Sequence, residues 1–175
     1  LMLLMLVALL VAVGTVTSIS LFVDRLQTAL VQESSNFLAA DRQISSGEKI
    51  PQAFTLAAQE RGLEVAQTLV FPSMVFAGDT NQLVSVKAVD QGYPLRGKLI
   101  VGDVPFARGA PTEDVPEPGT VWLDSRLFPA MNVKPGDVIE VGLAELKVAR
   151  VLVAEPDRGG SFFDLGPRLL MNLVD

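Results

Sequence analysis

Apolar and polar positions fall into two regimes along the chain. Residues 1–23, LMLLMLVALLVAVGTVTSISLFV, hold no charged side chain, and the first charge is Asp24. As a helix this run extends about 34 Å at about 1.5 Å per residue. That matches a bilayer hydrocarbon core of about 30 Å, so the run predicts a transmembrane helix over 1–23. A signal peptide would have a shorter apolar core, about 7–15 residues, ahead of a small-residue cleavage site. Here Ala12-Val13-Gly14 lies inside the run and no A-x-A follows it, which favours an uncleaved helix.

Beyond Asp24 the pattern becomes amphipathic. Residues 24–40, DRLQTALVQESSNFLAA, contain no Gly or Pro. At helical spacing Leu26, Leu30 and Phe37 share a face, interrupted by Glu33. This predicts a stalk helix over 24–40, with two readings open: packing on its own domain, or coupling that domain to the membrane. Residues 41–90 then read β-α-β-β. Asp41–Ser45 suits a short strand. Pro51 opens a helix with an Ile50, Ala53, Phe54, Ala57, Ala58 stripe, and Gly62 stops it. Leu63, Val65, Leu69 and Phe71 alternate as in a strand, and Gly78-Asp79-Thr80-Asn81 turns the chain into a β-rich partner over Leu83–Val89.

After Asp90 the texture changes. Residues 102–119 hold four Pro and three Gly and read as loop. Thr120–Leu123 is a strand, Arg126–Met131 a short helix capped by Asp124 or Ser125, and Val138–Val141 and Ala144–Val153 are strands. The alternation of the last slips near Ala149, the mark of a bulge. Residues 168–174 resume a buried strand-like run. The expected fold class is therefore α+β: a transmembrane helix, a stalk, an α+β lobe over 41–90 plus 166–175, and an inserted β-rich lobe over 91–165.

Charge and composition narrow the chemistry. The net charge of −6 argues against nucleic acid, whose phosphates call for a basic surface. With no Cys and no His, neither a Cys/His zinc site nor a His-dependent triad can be built from these residues. Only Arg25 and Arg42 flank the helix within residues 24–43, a sparse basic flank that favours an extracytoplasmic domain. The chain opens on Leu1 and ends in the apolar LLMNLVD, the pattern expected of a piece of a longer protein.

Candidate catalytic groups are weak. Glu113, Asp114 and Glu117 lack EF-hand spacing and read as a solvated loop. Asp137 and Glu140 flank a turn and read as surface rather than as an acid–base pair. No catalytic, cofactor-binding or metal residue is assigned. Two features remain: the loop Glu155–Phe163, with adjacent Phe162 and Phe163, and the single Tyr93 and Trp122. Tyr93, Phe162 and Phe163 are candidates for a contact between lobes or with a partner, beside the candidate coupling residues Leu26, Leu30 and Phe37.

In this order of elements the chain resembles the first extracytoplasmic domain of ABC transporter permeases of the MacB/FtsX/LolC superfamily, within it the YbbP-like branch. The stretches that carry the resemblance are TSISLFVDRLQTAL, NFLAADRQI, RGLEVAQTLVFPSMVFAGDTNQLVSVKAVDQGYPLRG, PGTVWLDSRL, KPGDVIEVG and EPDRGGSFFDLGPRLLMNL. The resemblance implies a periplasmic domain of Porter-like (41–90 plus 166–175) and Sabre-like (91–165) lobes, anchored in the bacterial inner membrane. It implies a cytoplasmic ATPase partner of the LolD/MacB class, which would bind ATP and Mg, and a non-catalytic role for this chain. It further implies mechanotransmission, with handling of hydrophobic or lipid-like substrates and a periplasmic TesA-like esterase or lysophospholipase as a partner. The alternative is an FtsX-like scaffold that binds and regulates a periplasmic hydrolase. A single-pass anchored enzyme is disfavoured for want of a catalytic constellation.

Overall fold

The computed structural model describes residues 2–158 and 166–175, without the side chains of Leu4 and of residues 27–37. The chain forms two compact units, Leu1–Ser35 and Asn36–Asp175. The fold is α+β with a leading apolar helix. Helix α1 runs Met2–Phe37, and its stretch Met5–Leu26 is long and apolar enough to cross a membrane. Within that stretch the Thr15 hydroxyl donates to the Val11 carbonyl at 2.8 Å, which satisfies a polar group inside an apolar run. The helical backbone carries on past Asp24, so the change at that residue is one of composition alone.

In the second unit, α2 (Gln52–Glu60) starts after Pro51 and is followed by Gly62 at φ 72. None of its residues is buried. Eight strands follow: β1 (Thr68–Ala77), β2 (Thr80–Val89), β3 (Leu99–Gly102), β4 (Ala110–Thr112), β5 (Thr120–Asp124), β6 (Val138–Val141), β7 (Ala144–Ala154) and β8 (Arg168–Asn172), with α3 (Leu127–Met131) between β5 and β6. The sheet order is β4-β3-β7-β5-β8-β2-β1-β6. Because β6 pairs with β7 as well as with β1, six strands close into a ring. One edge of β7 carries β5; its other edge carries β6 along the first half and β3 along the second.

Side-chain alternation sorts the residues between the two faces of this ring. The inner face packs Val75, Val86, Leu123, Val148, Val151 and Leu169 against α3 through Leu127, Phe128 and Met131. The outer face carries a second buried cluster that includes Ala39, Tyr93, Leu99, Trp122, Leu152 and Leu170. Strand β8 lies between β2, to which it is parallel, and β5, to which it is antiparallel. Strands expected in different lobes are thus hydrogen-bonded neighbours.

Three local expectations change. Asp41–Ser45 is not a strand: no ladder partner lies beside it among the described residues, and the Asp41 carboxylate is taken by Arg96. The first strand starts at Thr68 rather than Leu63, because its register is set by the hairpin to β2 through Gly78 and Asp79, with Gly78 at φ 56. Pro72 fits within β1 because its partner Ser85 turns its own N–H to the Pro167 carbonyl of the β8 side. The N–H that Pro72 lacks would point outward, away from β2. Strand β4 lies within the expected loop and packs tightly: a Cβ on Gly109 would meet the Val101 carbonyl oxygen at 2.6 Å.

Candidate functional site

The outer face of the ring carries a buried polar network. Strand alternation puts Ser85 and Lys87 of β2 on this face, and the parallel register places Arg168 of β8 beside Ser85. Lys87 and Arg168 are each 2% exposed. The Lys87 ammonium lies 2.6 Å from both carboxylate oxygens of Asp157 and donates to the Tyr93 hydroxyl at 2.9 Å. The Tyr93 hydroxyl in turn donates to Asp157 at 2.5 Å. Arg168 donates through Nε to Glu155 at 2.6 Å and through Nη1 to Ser85 Oγ at 2.6 Å. The second Glu155 oxygen accepts no hydrogen bond among the described residues, and faces Lys87 Nζ at 3.4 Å.

Among the described residues, Lys87 and Arg168 meet the carboxylates of Asp157 and Glu155. Burial raises the Tyr93 phenol above its ordinary pKa, and the charges of Asp157 and Glu155 raise it further. Tyr93 is held neutral as a hydrogen-bond relay between Lys87 and Asp157. Burying such a network is expensive, and leaving one charge without its partner costs about 3–5 kcal/mol.

A second cluster lies at the end of β5. Asp124 accepts from the Arg126 backbone N–H at 3.0 Å, from Arg126 Nε at 3.1 Å and Nη2 at 2.9 Å, and from Arg158 Nη2 at 2.9 Å. Both Arg126 and Arg158 also donate to the Gly166 carbonyl, at 3.2 and 3.1 Å. Burial alone would raise the Asp124 pKa; the hydrogen bonds from Arg126 and then Arg158 outweigh it and bring it down to about 2. Together the two clusters tie Glu155–Arg158 and Gly166–Arg168 to β2 and β5. Their geometry serves to hold chain segments in register.

The model of the MacB-like periplasmic core domain family matches residues 2–174. The chain belongs to this family. It is 43% identical over 168 residues to the uncharacterized ABC transporter permease YbbP of Escherichia coli strain K12, a match that takes in 96% of this chain and 20% of YbbP. The MacB-like core domain with its helix thus spans about a fifth of that relative. Among solved structures, the periplasmic region of MacB from Actinobacillus actinomycetemcomitans aligns at 18% identity and a TM-score of 0.45, covering 75% of this chain and 57% of that one. The extracellular domain of the noncanonic ABC-type transporter YknZ from Gram-positive bacteria aligns at 13% identity and a TM-score of 0.44, covering 62% and 54%.

In this MacB-like domain, Tyr93 lies in the outer cluster as the relay just described. Leu26 is 48% exposed on α1. Leu30 and Phe37 lie on the α1 backbone, with side chains outside the described residues, and Phe162 and Phe163 also lie outside them. Glu113 is exposed and pairs with Lys98 at 2.9 Å. The Asp137 carboxylate accepts the Lys134 N–H at 2.8 Å and so closes its own turn. One end of the ring opens on an apolar recess of about 270 Å³ lined by Leu69, Phe71, Val141, Met171 and Leu173.

The sequence pattern does not reveal the polar network. Its signals are a lysine inside the β-rich run Leu83–Val89 and the charges of Glu155-Pro156-Asp157-Arg158, close to the Phe162-Phe163 pair. Neither signal names a partner, because Lys87 and Asp157 are 70 residues apart in sequence.

Proposed function

We propose that this domain and α1 form the first membrane-anchored, periplasmic part of an ABC transporter permease of the MacB/FtsX type. The observation that carries the reading is the 43% identity to the permease YbbP over 96% of the chain. In this reading the protein sits in the bacterial inner membrane, with the residues after about 24 in the periplasm. A separate cytoplasmic ATPase subunit of the LolD/MacB class binds ATP and Mg and does the hydrolysis. This chain transmits movement to the periplasm, where Porter-like (41–90 plus 166–175) and Sabre-like (91–165) parts handle hydrophobic or lipid-like molecules, with a TesA-like esterase as a partner. Support for transmission comes from α1, helical from Met2 to Phe37, since a helix is a stiffer link than a Gly/Ser linker.

The test uses the full permease with its ATPase. Trapping the ATP-bound state should change amide exchange in residues 36–175. Thr28→Gly combined with Gln32→Gly weakens the helix by about 1 kcal/mol per glycine. It should abolish that change while ATP hydrolysis continues. An unaltered response in the double variant would falsify transmission through this segment.

A further inference from the structure

The point where the chain leaves α1 is fastened to the β unit by three different contacts. Ala39 is buried at 4% exposed, in the cluster that holds Tyr93, Trp122 and Leu170. Its carbonyl accepts the Arg96 N–H at 2.9 Å. Two residues on, Asp41 receives the Arg96 guanidinium as a fork, Nε to Oδ1 at 3.0 Å and Nη2 to Oδ2 at 2.7 Å. Arg96 Nη1 donates to the Leu95 carbonyl at 3.0 Å, which orients the fork. Ala39 takes a left-handed φ of 53, a conformation costly for alanine and supported here by its burial and the bond to its carbonyl. All of these residues lie within the unit Asn36–Asp175. Arg96 is three residues from Tyr93, which reaches Lys87 of β2 and Asp157.

The ion pair is solvent-exposed, so its contribution to stability is small. Its bidentate geometry fixes an angle between two backbone segments. A small stability with a defined angle is what a joint needs. We propose that Ala39–Asp41 and Leu95–Arg96 are the joint by which movement of the chain leaving α1 enters the β unit, passing through Tyr93 to Lys87 and β2. The proposal rests on the transmission reading above and names the residues that would perform it.

The test is a charge swap in the full permease with its ATPase: Asp41→Arg, Arg96→Asp, and the two together. Both side chains are exposed, so the fold should tolerate all three variants. Amide exchange is followed without nucleotide and with ATP trapped by vanadate. Without nucleotide, each single variant should raise exchange at residue 96 about three- to fivefold, and the double swap should return it towards the original rate. Unchanged exchange in both single variants overturns the joint. With trapped ATP, the response in β2 and β8 should be lost in each single variant and recovered in the double. A response that persists in both single variants overturns the relay, whatever the joint's local effect. No ATP response in the unaltered protein also overturns the relay, and the result without nucleotide then shows whether the fault lies in the joint or in the transmission reading.

Discussion

At the scale of single residues, the decisive choices in this domain are which charges are buried and what meets them. Asp124 is one of them. Its carboxylate is buried at the end of β5 and carries four donor contacts from Arg126 and Arg158. Its pKa in the folded chain, about 2, lies below that of an unfolded aspartate, about 3.9. The native state therefore binds this proton less readily than the unfolded state does. The resulting stability is present above about pH 4 and is lost as pH falls towards about 2; it amounts to at most about 2 kcal/mol, since Arg126 is half exposed and screened. Urea midpoints at about pH 6 and about pH 2.5 measure it. Asp124→Asn should lower the midpoint at the higher pH and leave it nearly unchanged at the lower; an equal loss at both would assign the acid sensitivity elsewhere. The sequence offers Asp124 or Ser125 as the cap of a helix over Arg126–Met131, but the helix runs Leu127–Met131 with Arg126 at its N-cap and no side-chain cap hydrogen bond. Asp124 binds the Arg126 N–H from outside the helix, and its partner Arg158 stands 34 residues away, beyond any local pattern.

At the scale of elements, the bulge in β7 is legible in the sequence and the start of β1 is not. The slip in alternation at Ala149 is a real bulge: Val121 pairs with Val148, and the next residue, Trp122, pairs with Arg150. Burial follows it, with Leu146 and Val148 inside before the bulge and Val151 inside after it. A slip of phase is visible in sequence because it changes which positions are apolar. The start of β1 is not visible in that way, since Leu63 and Val65 alternate as well as any strand but lie outside every strand among the described residues. Deleting Ala149 should leave Val151 and Leu152 on the faces they now occupy, with Trp122 still opposite Arg150. The expected loss is about 1 kcal/mol. Deleting Lys147 instead moves Val148 to an outward position and Ala149 to the inward one, with an expected loss of about 2–4 kcal/mol. Thermal unfolding followed by circular dichroism separates the two; equal losses in the two deletions would mean that position 149 is not the extra residue.

At the scale of the β unit, closure of the ring decides how the parts depend on one another. The closing ladder between β1 and β6 is two residue pairs long, Val75 with Val141 and Phe76 with Glu140, too short to leave a pattern in sequence. The place of β8 is set by both its neighbours: it satisfies β2 on one side and β5 on the other. None of the six ring strands can then be removed without opening the same core, so the ring should unfold in one cooperative step. Trp122, the single tryptophan, reports on β5 and the outer cluster, with the Arg150 guanidinium 5.8 Å from its ring. Far-ultraviolet circular dichroism reports on every strand. In urea the two signals should give the same midpoint, and amides of β2 and β7 should be protected by the same free energy. Porter-like and Sabre-like parts that melt independently would separate the midpoints, with β1 and β2 lost at a different concentration from β5 and β7. That outcome would make the β8–β5 ladder a contact between two folding units. Coincident transitions would make it the centre of one, able to carry strain applied near Ala39 across to β7.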